Sequence, residues 1–181
     1  MSSNLSPAKR NNTMRIATQK EKFTILGVPG DLDILSKAKI AIPLKLSWKL
    51  GYTVRAFTCH KMLVPHIEAV YKKIALLDPA FIIDSGMDIF GGCYELRAVR
   101  SAKGEKPPFS THSWGAAVDC DNHRNGLWTK APGANLSDPK YKPIHDIWNK
   151  HGFVNLGHVI GRDYMHYEAS FELISNPSKF L

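Results

Sequence analysis

The sequence predicts a single α+β domain, and three observations carry that prediction. The chain has 181 residues, about the length of one domain. Its composition, 44% hydrophobic against 22% charged, suits a packed core rather than disorder. Stretches of period-two alternation and of helical spacing follow one another irregularly, with no internal repeat, so a small antiparallel sheet with flanking helices is expected. No stretch approaches the ~20 apolar residues of a membrane-spanning helix.

Taken in order, residues 1–20 read as a flexible basic arm and residues 21–181 as the folded domain. The formal net charge is +8, and residues 1–22 supply Lys9, Arg10, Arg15, Lys20 and Lys22 against Glu21 alone. Such a surface favours polyanionic partners: nucleic acid, anionic lipid or an anionic cell wall. A strand is expected at Phe23–Val28, closed by the turn Pro29-Gly30. A short helix capped by Asp31 or Asp33 is expected to run toward Ile40, interrupted at Pro43. Tyr52, Val54, Ala56 and Thr58 alternate as one strand face. Ile67, Val70, Tyr71 and Ile74 have the spacing of one helix face behind Pro65, and Asp78-Pro79 stops that helix. Ala80–Asp84 is expected as a short strand, residues 101–109 as a surface loop and Gly115–Cys120 as a buried strand. Residues 121–142 read as a long loop, which is uncommon unless functional. Pro143 opens a helix with Ile144, Ile147, Trp148 and His151 on one face, ended by Gly152. Tyr164–Leu173 is expected as the last strand.

The chemistry concentrates in two segments. In Ser110-Thr-His112-Ser-Trp-Gly115-Ala-Ala117-Val-Asp119 a histidine precedes an acid that sits in an apolar run. An unpaired carboxylate there is costly, so a cation must neutralise it, either a metal or an arginine. In Asp163-Tyr-Met-His166-Tyr-Glu168 a strand places His166, Glu168 and Ser170 on one face, with Met165, Tyr167, Ala169 and Phe171 on the core face. Asp163 can help His166 only from a turn or bulge at the strand start, and Gly161 just upstream suits one.

The joint pattern resembles the zinc D-alanyl-D-alanine carboxypeptidase / L-alanyl-D-glutamate peptidase family, whose fold is shared with the amino-terminal domain of hedgehog. Ser110, His112, Gly115, Ala117 and Asp119 match its S-x-H-x-x-G-x-A-x-D signature. Asp163, His166, Tyr167 and Glu168 match its second signature, and Gly91 to Arg97 looks like the segment carrying a substrate-binding arginine. The strongest resemblance runs over residues 82–168. It implies zinc (Zn2+) held by His112, Asp119 and His166, Asp163 as general base, and Arg97 on the scissile carbonyl or a substrate carboxylate. Arg100 competes with Arg97 for that role, and Ser110 supports substrate or a ligand. Asp at the base position looks more like the phage endolysin branch. One departure stands out: Gly152-Phe153 leads into Val154-Asn155-Leu156-Gly157 where many members carry Trp-Gly-Gly. The implied substrate is a peptidoglycan stem peptide within the anionic cell wall, cut at L-Ala–D-Glu or D-Ala–D-Ala, with no specific nucleic-acid partner.

The polar start carries no apolar signal region and three cysteines cannot all pair within the chain. Both features lead us to expect synthesis in the cytoplasm without a signal peptide, and delivery to the wall by holin action or from a virion. Two alternatives stand beside the peptidase. Val118-Asp-Cys-Asp-Asn-His123, with Asn135 and His145, faintly resembles a ββα-metal nuclease, and a non-catalytic wall-binding module would keep the fold without the reaction. Asp121 and His123 are competing ligand candidates, while His60, His66, His145, His151 and His158 lack ligand-like companions. Cys93 and Cys120 are expected as packed thiols and Trp48, Trp128 and Trp148 as core or half-buried. Trp114 is placed either in the core or at a cleft edge.

Overall fold

Thr18-Gln-Lys-Glu21 is a capping box, and it starts a helix where a strand was expected. The computed structural model describes residues 14–49, 51–100, 104 and 106–181. In it, helix α1 spans Gln19–Leu26, with the Thr18 side chain accepting from the Glu21 N–H and the Glu21 side chain accepting from the Thr18 N–H. This corrects both the strand at Phe23–Val28 and the extent of the arm. Ile16 bridges to Ser170, and the Phe171 N–H donates to the Arg15 carbonyl at 2.8 Å, so residues 15–20 belong to the folded body. The first 13 positions of the expected arm lie outside the described residues.

Asp31 does cap a turn, but only the 3-10 turn Leu32–Ile34. The chain then enters strand β1, Leu35–Leu46, in place of the expected helix. Its buried Ala38, Ile40 and Leu44 follow period two, the signal that overrides the cap. Pro43 is tolerated because the pairing register with β2, Thr53–His60, shifts between Lys39 and Leu44. Helix α2, Val64–Ile74, buries the expected face of Ile67, Val70, Tyr71 and Ile74. Asp78 then starts an element as well as ending one. Its side chain accepts from the Ala80 and Phe81 N–H groups, Pro79 occupies the first turn, and α3, Pro79–Ser85, replaces the expected strand.

Strands β3, Ile89–Gly92, and β4, Ala117–Cys120, follow, then the short α4, Asn122–Asn125, α5, Lys142–Lys150, and β5, Phe153–Asn155. Helix α6, Leu156–Ile160, strand β6, His166–Ala169, and helix α7, Phe171–Ser175, complete the order. The last strand is shorter than expected because Ser170 caps α7, accepting from the Leu173 N–H. The expected α+β domain is present, with a sheet of six strands in the order β2-β1-β3-β4-β6-β5. The sheet is mixed: β1 and β3 run parallel and the other pairs antiparallel.

Tyr71 of α2, Trp148 of α5 and Tyr167 of β6 join the helices to one sheet face. Trp148 stacks on Tyr167 with centroids 4.6 Å apart and meets Tyr71 edge-on at 5.9 Å. Val118, Cys120 and Tyr167 point into this core. Strand alternation therefore sends Asp119, His166 and Glu168 to the opposite face. Trp114 is buried, whereas Trp48 and Trp128 are 62% and 66% exposed, against the expectation that both would be covered. Among the described residues no helix is long and apolar enough to cross a membrane.

Candidate active site

Two neighbouring strands and one turn converge on a cleft floor. β4 and β6 pair so that Asp119 lies opposite His166 and Ala117 opposite Glu168. Directly opposed residues share a face at close range, so the acid and the histidine meet although 47 positions separate them. His112 arrives from a 3-10 turn, Thr111–Trp114, that ends at Gly115 in the left-handed region with φ 62°. That turn lies against β2: a Cβ on Gly115 would sit 2.8 Å from the His60 amide nitrogen. The backbones thus approach closely at Gly115, and only glycine meets both demands.

The three side chains present one ligand atom each. His166 Nδ1 is 3.0 Å from Asp119 Oδ1, His112 Nε2 is 3.2 Å from His166 Nδ1, and His112 Nε2 is 3.3 Å from Asp119 Oδ1. Ligands ~2.0–2.1 Å from a tetrahedral ion stand ~3.3 Å apart, so this triangle has the right size for one face of such a site. The outer hydrogen bonds agree. His112 Nδ1–H donates to the Cys93 carbonyl at 2.7 Å, and His166 Nε2–H donates to Glu168 Oε2 at 3.0 Å. Each inward nitrogen then offers a lone pair, and two lone pairs with a carboxylate demand a cation between them. Without a metal a proton serves. Burial alone would lower the His166 pKa, but Asp119 and Glu168 on either side push it up to about 10. Burial would likewise raise Asp119, yet His112 and His166 hold it well below the usual carboxylate range.

Glu168 is buried and held in turn. Thr111 Oγ1–H donates to Glu168 Oε2 at 2.8 Å, and the ammonium of Lys22 lies 3.6 Å from Glu168 Oε1 and donates to Thr111 Oγ1 at 2.5 Å. Burial would raise the Glu168 carboxyl, but Lys22, His166 and Thr111 bring it down to about 2. The Lys22–Thr111–Glu168 chain was not foreseen. Its one sequence signal is the capping box at Thr18-Gln-Lys-Glu21, which puts Lys22 on a helix.

Asp163 stands where a turn was expected. Gly161 ends α6 at φ 75°, Asp163 itself has φ 67°, and the His166 N–H donates to its carbonyl at 3.2 Å. A non-glycine residue held there stores strain, and Asp is among the few types that tolerate it. Its carboxylate lines the cleft with Asp119 and His166, and Oδ1 is buried without a hydrogen-bond partner. Burial raises its pKa. Arg97, Arg100 and Ser110 line the same cleft. Arg97 Nε donates to Glu95 at 2.7 Å and Arg100 Nη2 to the same oxygen at 3.2 Å. Met165, expected in the core, lines the cleft because it precedes the regular strand.

The competing ligands do not join. Asp121 pairs with Arg124, and His123 Nε2 lies 3.0 Å from the Ser47 carbonyl. His145 sits between the Leu136 carbonyl and the Tyr167 hydroxyl, and Asn135 donates to the Asp84 carbonyl. The nuclease-like residues are therefore spent separately on local contacts. Among the described residues, His112, Asp119 and His166 form the one His/Cys/Asp/Glu group with metal-ligand spacing. Cys93 and Cys120 are buried thiols, as expected.

The buried His112, Asp119 and His166 could together hold a metal ion, and the Asp163 carboxylate lines the same cleft as Asp119 and His166. The family model described as D-alanyl-D-alanine carboxypeptidase matches residues 103–169, so the resemblance to that peptidase family holds over this span. The span contains Ser110, His112, Asp119, Asp163, His166 and Glu168, and leaves Arg97 and Lys22 outside. No curated protein and no solved structure matches the chain.

Proposed function

We propose that the protein is a zinc metallopeptidase that hydrolyses a peptide bond in peptidoglycan stem peptides, L-Ala–D-Glu or D-Ala–D-Ala. The observation that carries this reading is the triangle of His112 Nε2, Asp119 Oδ1 and His166 Nδ1, 3.0–3.3 Å on a side, two of whose members, Asp119 and His166, line the cleft with Asp163. Two imidazoles and one carboxylate are a donor set that would suit zinc. A zinc ion held there would supply Lewis acidity, polarising a carbonyl and bringing the pKa of water toward ~7.

The chain's own residues do the rest. Asp163, with one oxygen unpartnered and its pKa raised by burial, takes a proton from the attacking water and returns one to the departing amine. Arg97 at the cleft wall meets the negative charge that grows on the carbonyl oxygen. Glu168 fixes the His166 ring by accepting from Nε2–H, and the Cys93 carbonyl does the same for His112. The +8 charge suits an anionic wall. We propose further that it acts at the cell wall as a phage endolysin or virion-borne lysin, a reading supported by Asp rather than Glu at position 163.

Purified peptidoglycan digested with and without chelator, and read by mass spectrometry, tests the reaction and names the bond. Elemental analysis tests the ligands: His112→Ala and His166→Ala should lose zinc, while Asp121→Ala and His123→Ala should keep it. The opposite pattern refutes the assignment.

A further inference from the structure

The cleft lined by Asp119, Asp163 and His166 also carries the apolar side chains Leu127, Leu156, Ile160 and Met165 and three arginines, Arg97, Arg100 and Arg162. The arginines are not equivalent. Arg97 and Arg100 share the carboxylate of Glu95, and Arg97 also donates from Nη1 to the Ala98 carbonyl at 3.2 Å. Arg162 has no carboxylate partner among the described residues. Its guanidinium carbon lies 4.4 Å from the centroid of Trp128, and Nη1 donates to the Leu127 carbonyl in a long contact of 3.4 Å. Its backbone is pinned as well, by an isolated bridge to Lys130 and by the left-handed residues Gly161 and Asp163 on either side.

A guanidinium stacked on an indole has lost most of its rotamer freedom while keeping most of its N–H donors unengaged. This also accounts for Trp128, a large aromatic left 66% exposed at the end of a loop. An unpaired, braced cation at the lip of a half-apolar cleft is suited to a carboxylate attached to a small aliphatic residue. Arg162 lines the same cleft as Asp163 and His166, so a carboxylate held by it would lie on the side where the bond is cut.

We propose that Arg162, braced by Trp128, is a specificity-determining residue that binds a free substrate carboxylate beside the scissile bond. This rests on the peptidase reading above. Two sources supply such a group: the α-carboxylate of a γ-linked D-Glu, or the C-terminal carboxylate of a D-Ala–D-Ala ending.

The test is binding, measured by calorimetry on the zinc-loaded full chain carrying Asp163→Asn so that bound peptide persists. Two peptide pairs are used, one containing L-Ala–D-Glu and one ending in D-Ala–D-Ala, each with the relevant carboxylate free or amidated. In at least one pair the free acid should bind about tenfold or more tighter than the amide, the usual worth of a charge-assisted hydrogen bond. Adding Arg162→Gln should reduce that preference to less than about threefold while leaving affinity for the amide unchanged. Trp128→Ala, which keeps the cation and removes its brace, should lose part of the preference. No preference in either pair, or a preference that survives Arg162→Gln, overturns the proposal. If the preference behaves as expected while a chain with Asp163 intact cleaves neither peptide, the carboxylate site stands and the peptidase reading falls.

Discussion

Lys22 gives the sharpest test of how the site is supported. It lies on α1, about 90 positions before His112, is 5% exposed, and faces Glu168, also buried, at 3.6 Å. In Lys22→Met the aliphatic stem is kept and the charge removed. Glu168 must then remain ionised in a buried place with only His166 and Thr111 as donors, or take up a proton. Removing one partner of a buried pair costs about 3–5 kcal/mol, because the remaining charge is left without compensation. For a chain of this size each kcal/mol moves the midpoint by about 2–4 °C, so Tm should fall by about 6–20 °C. A protonated Glu168 is also a poorer acceptor for His166 Nε2–H, and disturbing such an outer hydrogen bond usually weakens metal binding about 10–100-fold. Thermal unfolding and zinc competition against a chelator read the two effects. Lys22→Met/Glu168→Gln, in which no charge is left alone, should recover much of the stability but not the metal affinity. If Lys22→Met unfolds within about 1 kcal/mol of the unmodified chain and the two substitutions prove additive, the buried pair has no such role.

Other outcomes can be stated briefly. Asp163→Asn should keep fold and zinc, since Asn tolerates the same positive φ, while turnover falls by about 10²–10⁴-fold; loss of zinc would make Asp163 a ligand, and full activity would move the base elsewhere. Gly115→Ala should destabilise by at least about 2 kcal/mol, because the new Cβ meets the His60 and Cys59 backbone at 2.8–2.9 Å and the φ of 62° is itself unfavourable; denaturant unfolding reads it. His145 is brought down to about 4 by burial, so it is neutral in the folded chain where the unfolded chain takes up a proton. Its contribution to stability is complete above about pH 6.5 and is lost as pH falls toward 4. Unfolding across that window, with the His145 ring followed by NMR, should show the decline in the unmodified chain and less of it in His145→Gln.

What was legible in the sequence was local. The triad needs two residues on one strand face, one residue opposite, and a turn, and both signatures carry that information in runs of ten residues or fewer. The Pro65 and Pro143 helices announced themselves through Ile67, Val70, Tyr71 and Ile74, and through Ile144 and Trp148, because burial on one face imposes helical spacing. The errors came where two local signals competed. Asp31 is a true cap, but the alternation through Ala38, Ile40 and Leu44 won, since it buries one face of a strand that pairs with both β2 and β3. Asp78-Pro79 follows the end of one helix and also begins the next, and only the first of these roles is plain from the sequence.

The support of the site was not legible because it depends on tertiary contact. Nothing in a basic, polar N-terminal stretch says that Lys22 will be covered. It is covered because Ile16 bridges to Ser170 and Phe171 bonds to Arg15, which lays α1 across the end of β6. That docking has a consequence for the site itself. Glu168 leaves β6 pointing the same way as His166, and without Lys22 its buried carboxylate would lose its one cationic neighbour from α1. With Lys22 in place the charge of Glu168 is partly compensated, and Glu168 Oε2 lies 3.0 Å from His166 Nε2 while His166 Nδ1 lies 3.0 Å from Asp119 Oδ1. The N-terminal segment therefore helps to hold the carboxylate against which the outer nitrogen of His166 rests.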